Sequence, residues 1–306
     1  MTTQPDITAF YDPRTSSVQY VVADPVARIC AIIDPVLDYD AAAGAFATHQ
    51  ASRILQFISA QSYEVAWILD THPHADHFSA AAYLKDVTGA PIAIGAQVGE
   101  VQKLWKDFYN LPDFPTDGRQ WDHLFADDES FQIGNLTAHV RTAPGHTLAS
   151  ITYEVGHAAF IHDTLFMPDS GTARADFPGG DARALWRSIQ QILTLPDETR
   201  LFTGHDYQPG GRDPQWESTV AEQKAGNIHL VQYTTEDAFV AARRARDETL
   251  PVPKLLLPAL QVNLNGGRLP AEETNGRRYL RIPIGLFPPF AGEGEAPVKA
   301  DTPTLP

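Results

Sequence analysis

The sequence has almost no cysteine, no long apolar run and no cluster of basic residues. Cys30 is the one cysteine among 306 residues, so the chain cannot form an internal disulfide bond. It lies in an apolar stretch, where we predict a buried, unreactive thiol. No run approaches the ~20 apolar residues of a membrane-spanning helix, so we expect no membrane partner. The first residues, MTTQPDITAFYDP, lack the basic and apolar segments of a secretory signal. We therefore expect a cytoplasmic location.

The shortage of positive charge limits the partners further. The chain has 38 Asp and Glu residues against 23 Lys and Arg residues, which gives a formal net charge of −15. A nucleic-acid surface needs clustered cations, so we expect no nucleic-acid partner. An anionic small substrate would have to be held by a few locally placed cations, against the overall field of the protein.

Apolar and aromatic residues are abundant enough for a sizeable core. They include 5 Trp, 10 Tyr and 15 Phe, and 43% of all residues are hydrophobic. Strand-type and helix-type segments alternate along the chain, and a helical and extended region follows from about residue 214. No clear linker interrupts this order. We predict one domain over residues 1–290 and a flexible tail over residues 291–306, which are rich in Pro, Gly, Ala and charge.

A histidine-rich loop, THPHADH, carries the strongest chemical signal. It follows the apolar run 65–69, which is typical of a buried strand, and holds three of the eleven histidines. Imidazole nitrogens and carboxylate oxygens ligate Zn, Fe, Mn and Ni, and a loop at a strand end lets several of them converge. The ligand candidates in this loop are His72, His74, Asp76 and His77.

Three later residues of ligand type also follow apolar runs. His146 lies in the tight-turn sequence PGHT, Asp163 ends the run FIHD, and His205 lies in the sequence GHD. Each residue alone is more typical of a hydrogen-bonding loop position than of a metal ligand. Their order and their shared position after apolar runs predict that they join the histidine-rich loop in one metal site.

This ordered set resembles the metallo-β-lactamase superfamily over about residues 15–210. The resemblance implies an α/β (α+β) fold of the αββα type, in which two mixed β-sheets pack together, helices lie outside and the metal lies at one sheet edge. In dinuclear members one metal would take His72, His74 and His146, and the other would take Asp76, His77 and His205. Asp163 would bridge the two metals.

The segment 168–177, PDSGTARADF, resembles the glutathione persulfide dioxygenases, also called sulfur dioxygenases. In that family an Arg-x-Asp-Phe element follows the metal aspartate by about the spacing from Asp163 to Arg174, whereas glyoxalase II carries Gly-Arg followed by Phe-Glu. The ending GHDY and the segment 260–266, LQVNLNG, extend the similarity to about residue 285. A Gly-Thr-Ala-Arg sequence replaces the usual Gly-Cys-Gly-Arg, which indicates a bacterial-type subgroup.

The resemblance implies one Fe(II) per chain, held by His72, His146 and Asp163. The implied reaction oxidises the terminal sulfur of glutathione persulfide with O2 and yields sulfite and glutathione, a step of sulfide and persulfide detoxification. Arg174 and Tyr207 are the implied catalytic candidates. The implied substrate contacts are Arg174, Tyr207, Arg212 and Asn263. A salt bridge from Arg174 to Asp176 or to another structural carboxylate is nearly as good an expectation, and it is compatible with substrate binding.

Two other functions stay open on the sequence alone. A dinuclear hydrolase of the same fold, such as a glyoxalase II-like thioesterase or a lactonase, would use the same seven ligands with two Zn ions. A thiol- or sulfide-sensing protein would keep the ligands without turnover. Ligand identity does not separate iron from zinc. A homodimer is compatible with the sequence, but no motif defines an interface.

Overall fold

The computed structural model describes residues 4–287, so the predicted tail over residues 291–306 lies outside the described residues. The strands are β1 (Asp6–Asp12), β2 (Ser17–Asp24), β3 (Ile29–Ile33), β4 (Val36–Asp40), β5 (Ala45–Ala47), β6 (Glu64–Leu69), β7 (Phe78–Ser79), β8 (Ile92–Gly95), β9 (His123–Phe125), β10 (Ser130–Ile133), β11 (Leu136–Thr142), β12 (Ile151–Val155), β13 (Ala158–His162), β14 (Arg200–Thr203) and β15 (Glu217–Thr219). The helices are α1 (His49–Gln61), α2 (Ala81–Thr88), α3 (Val98–Phe108), α4 (Ala182–Ile192), α5 (Val220–Gly226), α6 (Ile228–Gln232), α7 (Glu236–Asp247) and α8 (Leu256–Asn263).

Two six-stranded mixed sheets form the centre of the fold. The first has the order β1-β2-β3-β6-β8-β9, and its strands run parallel from β3 onward. The second has the order β10 to β15 and is antiparallel except where β13 runs parallel to β14. Strands β5, β4 and β7 form a small third sheet. The parallel pairs bring the carboxyl ends of several strands to common sheet edges.

Strand β2 illustrates that the first sheet is buried on both faces. All eight of its residues are buried, and successive side chains point to opposite faces. Val18 and Tyr20 belong to the core between the two sheets, whereas Val21 belongs to the core under helices α1 to α3. Helices α4 and α7 cover the outer face of the second sheet. The predicted αββα sandwich is therefore confirmed.

Side-chain caps mark the first turns of helices α4, α6 and α7. The carboxylate of Asp181 accepts a hydrogen bond from the amide of Ala184, at 2.6 Å, and so caps the start of α4. The helical and extended region from about residue 214 contains strand β15 and the four helices α5 to α8. The side chains of Asn227 and Thr235 cap α6 and α7 and so break the region into pieces.

Burial also explains why the thiol of the one cysteine should be unreactive. Cys30 is fully buried in β3, and burial raises the pKa of its thiol to about 12. The predicted inert thiol agrees with this environment. Within residues 4–287, none of the helices combines the length and the hydropathy that crossing a lipid bilayer requires.

Candidate metal centre

Ends of strands from both sheets meet at one edge of the sandwich. Ile151 N donates to Thr71 O across the sheets, and Val18 N donates to Gly204 O. Strands β13 and β14 run parallel with His162 opposite Thr203. The residues just after these strands therefore lie close together, and His205 Nδ1 is 2.6 Å from Asp163 Oδ1.

Three of the predicted ligands converge on one point. Asp163 Oδ2 lies 4.0 Å from His72 Nε2 and 3.7 Å from His146 Nε2. All three side chains are buried, and their ligand atoms lie within 4.8 Å of one another. Atoms at this spacing can each approach a common ion to about 2.0–2.2 Å, as imidazole and carboxylate ligands do. The set of two histidines and one carboxylate fits a non-haem Fe(II) or a zinc ion.

The two histidines are held in the tautomer that a metal requires. His146 Nδ1 donates to the carbonyl of Arg174 at 2.8 Å, so its Nε2 faces Asp163. His72 Nδ1 lies 3.0 Å from Thr71 Oγ1, and its buried Nε2 has no hydrogen-bond partner in residues 4–287. Burial lowers the pKa of both imidazoles, which keeps them neutral. A neutral imidazole with an unpaired, buried nitrogen is the form that binds a metal.

Asp34 contacts the histidine-rich loop, and the sequence reasoning missed it. It follows β3, the parallel neighbour of β6, and its carboxylate accepts from Thr71 N, Thr71 Oγ1 and His74 Nε2 at 2.7–3.0 Å. Burial alone would lower the pKa of His74, but the carboxylates of Asp34, Asp76 and Asp70, with Asp34 first among them, outweigh burial and raise that pKa to about 9. Asp34 thereby fixes the loop through His74 Nε2 and leaves His74 Nδ1 without a hydrogen-bond partner in the described residues. The available signal was a carboxylate at the end of an apolar strand.

The remaining predicted ligands form a hydrogen-bonded group beside the three-residue set. Asp76 Oδ2 accepts from His205 Nε2 at 2.7 Å, from His77 Nδ1 at 2.9 Å and from Ser17 Oγ at 2.9 Å. Burial would lower the pKa of His205, but the carboxylates of Asp163 and Asp76 outweigh it and hold that pKa well above its ordinary value. His205 therefore links Asp76 to Asp163 as a cation.

Arg174 contacts the candidate metal centre through its backbone carbonyl, and each nitrogen of its guanidinium donates a hydrogen bond within the protein. Its guanidinium forms a two-point salt bridge to Asp176, at 2.6 and 2.7 Å, and donates to the carbonyl of Pro251 at 2.7 Å. It also lies 4.8 Å from the ring centroid of Phe177. The expected Arg174–Asp176 pair is present, so a carboxylate of the protein already balances the charge of this guanidinium.

Tyr207 and Arg212 follow His205 but face different surroundings. The Tyr207 ring stacks on His205 with 5.6 Å between the ring centroids and lines an open cleft. Arg212 instead forms two-point salt bridges to both Asp169 and Asp206, at 2.6–2.8 Å. The structure thus brings Tyr207 to the cleft and leaves Arg212 outside its lining.

Asn263 lies behind the metal loop, away from the cleft lining. It is buried in α8, accepts from Ser79 N at 2.7 Å and donates to the carbonyls of His74 and His77 at 2.7 and 2.8 Å. All hydrogen-bonding atoms of its amide are thus bound to backbone. The substrate contact that the resemblance implies is replaced here by a contact that fixes the shape of the histidine-rich loop.

A cleft of about 970 Å³ opens above the metal centre. His146, Asp163 and Asp76 lie at its buried end, and Phe166 and Phe177 form apolar walls. Segments 39–42 and 250–255 line the open side. This volume is in the range of small-molecule sites.

Replacing Gly204 by alanine tests the spacing at the metal centre. A Cβ at residue 204 would lie 2.6 Å from Asp163 Oδ1, so the carboxylate must move away from His205. We expect the metal affinity to fall by about tenfold or more, with the fold retained. Metal titration and thermal unfolding measure the two effects. Gly226→Ala is the matched control, because its Cβ would meet only Pro168 at 3.7 Å. An unchanged affinity in Gly204→Ala would show that the position of Asp163 does not control metal binding.

Comparison with known proteins agrees with this geometry at the level of the family. The family model described as the metallo-beta-lactamase superfamily matches residues 13–205. The "Beta-lactamase hydrolase-like protein" of Xylella fastidiosa is 64% identical over 283 residues, which are 92% of this chain. This chain spans 65% of that relative's length.

Other relatives carry names of different chemistries. "Glyoxylase B2" of Dictyostelium discoideum is 43% identical over 94% of this chain and 99% of its own length. "Persulfide dioxygenase ETHE1, mitochondrial" of Bos taurus is 25% identical over 84% of this chain and 87% of its own length. The crystal structure of ETHE1 from Myxococcus xanthus superposes with a TM-score of 0.69 and 27% identity, over 86% of this chain and 100% of that one.

Proposed function

The chain belongs to the metallo-β-lactamase superfamily, and from this membership together with its metal-ligand geometry we propose that it is an Fe(II)-dependent persulfide dioxygenase. The proposed substrate is glutathione persulfide, whose terminal sulfur is oxidised to sulfite. One O2 and one water molecule are consumed for each sulfite and glutathione formed. The terminal sulfur loses four electrons, and O2 accepts them.

One observation carries this proposal, the convergence of His72, His146 and Asp163. Two histidines and one carboxylate on one side of an ion leave its other positions open, as in non-haem iron oxygenases. His74 is hydrogen-bonded to Asp34, and His205 to Asp163 and Asp76, so these side chains are engaged in hydrogen bonds around the three ligands. Such partners orient metal ligands and tune their basicity.

The segment that resembles the dioxygenases supports the same conclusion. Arg174 O accepts the Nδ1 proton of His146, and Asp176 fixes the Arg174 side chain. The Arg-x-Asp-Phe element thus orients a metal ligand in this chain. The similarity to proteins named ETHE1, one of them a persulfide dioxygenase, adds support from sequence and fold.

The chain's own residues would position the substrate beside the metal. When bound, Fe(II) would supply the redox chemistry between O2 and the sulfur. The phenol of Tyr207 is protonated at neutral pH and can donate a hydrogen bond to an anionic sulfur in the cleft. Phe166 and Phe177 provide apolar walls that exclude water from the reacting atoms. His205, held as a cation, balances the negative charge of Asp163 and Asp76.

Oxygen consumption tests the proposal directly. Protein loaded anaerobically with one equivalent of Fe(II) is mixed with glutathione persulfide in air-saturated buffer. We expect rapid O2 uptake with one sulfite formed for each O2 consumed. The controls are zinc-loaded protein and glutathione in place of its persulfide, and neither should consume O2. Absence of uptake from protein with verified iron content would refute the dioxygenase proposal.

A dinuclear hydrolase is the second candidate, and a specific observation favours it. Ligand atoms of His74, Asp76 and His77 also lie within 4.8 Å of one another. His74 Nδ1 and His77 Nε2 are buried and lack hydrogen-bond partners in the described part of the chain. A second ion there would suit hydrolysis of a thioester or lactone. Two bound Zn ions per chain and turnover of S-lactoylglutathione would favour this function over the dioxygenase.

A further inference from the structure

We propose that Arg246 and Lys254, at the rim of the cleft, bind the carboxylates of the thiol that carries the persulfide. This inference rests on the proposed function and specifies its substrate class: a small, carboxylate-bearing thiol is preferred to a neutral one. The two cations would determine substrate specificity, because they bind the carboxylates of the thiol and do not contact the reacting sulfur.

The charge of the cleft is opposite to that of the whole chain. Five basic side chains line it against three acidic ones, whereas the chain has 23 basic and 38 acidic residues. The basic residues are Arg14, Arg174, Arg243, Arg246 and Lys254, and the acidic ones are Asp40, Asp76 and Asp163. Two of the three carboxylates, Asp76 and Asp163, already contact His205. The cleft therefore provides the local positive field that an anionic substrate needs in an acidic protein.

Three of the five cations already have acidic partners. Arg174 pairs with Asp176, and the buried Arg243 pairs with Asp247 at 2.6 Å. Arg14 lies 3.9 Å from Asp38. The short pairs of Arg174 and Arg243 neutralise most of the charge that these two arginines could offer to a substrate, whereas the longer pair of the exposed Arg14 neutralises less of its charge.

Arg246 and Lys254 differ from these three. Both are exposed, and within residues 4–287 neither side chain takes part in an ion pair or a side-chain hydrogen bond. A guanidinium can hold a carboxylate with two parallel hydrogen bonds, and an ammonium attracts a second one as a point charge. The pair is therefore suited to a ligand with two carboxylates.

The position of these cations matches a substrate whose sulfur reaches the metal centre. Arg246 lies one turn after Arg243 on α7, and both residues line the cleft. Lys254 lies in segment 250–255. Arg174 connects this segment to the candidate metal centre, because its guanidinium donates to Pro251 O and its carbonyl accepts from His146 Nδ1. The metal ligands are buried and the two cations are exposed, so the cleft is anionic and metal-binding at its inner end and cationic at its rim. A thiol bound with its sulfur inside would leave its carboxylates at this rim.

The test compares a charged and a neutral carrier of the same shape. Arg246→Gln, Lys254→Gln and the double variant are loaded with iron and assayed with glutathione persulfide and with the persulfide of glutathione diethyl ester. For the diacid we expect KM to rise by about 3- to 10-fold in each single variant and further in the double variant, with kcat changed less than about twofold. For the diester, KM should be the same in all proteins. Arg244→Gln is the matched control, because Arg244 is an exposed arginine of the same helix that does not line the cleft.

A binding measurement separates this inference from the proposed function. Calorimetric titration with S-methylglutathione needs no turnover. The affinity for this ligand should fall in the variants by the same factors by which KM rises, and added salt should weaken binding to the wild-type protein. If the wild-type protein oxidises no persulfide, the proposed function fails, while this titration still decides the role of the cations. The inference would be overturned if the wild-type protein and the double variant bound S-methylglutathione with equal affinity. It would also be overturned if Arg244→Gln lost as much affinity as Arg246→Gln.

Discussion

Replacing Asp163 by alanine is expected to remove both the bound metal and the activity. The Asp163 carboxylate lies within 4.0 Å of the ligand nitrogens of His72 and His146, and it also accepts the Nδ1 proton of His205 at 2.6 Å. Its loss removes the one anionic side chain of the three-residue set and leaves His205 Nδ1 without its hydrogen-bond acceptor. Residues that only support a metal ligand cost about 10- to 100-fold in affinity or activity when substituted, so a ligand itself should cost more. We expect less than about a tenth of an equivalent of metal after purification.

Metal analysis, sulfite formation and circular dichroism together check this prediction. His146→Ala should behave in the same way, since its Nε2 is the ligand atom that Arg174 O orients. Asp113→Ala is the control, because Asp113 is exposed and pairs with no cation in the described residues. Full iron content and full turnover in Asp163→Ala would mean that the metal binds elsewhere, first of all at His74, Asp76 and His77.

Replacing Asp247 by alanine is expected to cause a large loss of stability. Asp247 Oδ1 accepts from Arg243 at 2.6 and 2.9 Å, and Asp247 Oδ2 accepts from Ala175 N at 3.0 Å. Both charged side chains are buried, with 3% and 4% of their surface exposed. Removing one partner of such a pair leaves a buried, uncompensated charge and costs about 3–5 kcal/mol. The free energy of unfolding in urea measures this effect.

Two matched variants separate the buried charge from a general loss of contacts. Arg243→Met combined with Asp247→Leu removes both charges and should recover much of the lost stability. Glu217→Ala breaks the exposed pair with Arg200 and should cost about 1 kcal/mol or less. Asp247→Ala should also weaken metal binding, because Ala175 adjoins the carbonyl of Arg174 that holds His146. A loss as small as that of Glu217→Ala would contradict the buried-charge argument.

The arginines show where reasoning from sequence reaches its limit. A guanidinium near a metal motif is equally compatible with substrate binding and with a salt bridge, because the choice depends on which carboxylate lies within about 4 Å. Asp176 is close to Arg174 in sequence and was foreseen as its partner, but Asp169 precedes Arg212 by 43 positions. Arg246 and Lys254 belong to no motif. Only the folded chain places them at the cleft of the metal centre.

Local pattern determined the strands and the capping of α4, and it marked seven candidate metal ligands. The resemblance to the dioxygenases, and not the pattern, implied which three of them hold the metal. Side-chain alternation, the preference of Asp181 for a helix start and the position of His72, His146 and Asp163 after apolar runs are properties of short segments. The tertiary structure decided the contacts of Asp34, Asn263 and Arg212 and the position of Arg246 and Lys254 at the cleft. These arrangements depend on contacts between segments far apart in the chain, such as that of α8 with the metal loop, 184 or more positions away. Such contacts arise only when strand order and helix packing bring the segments together.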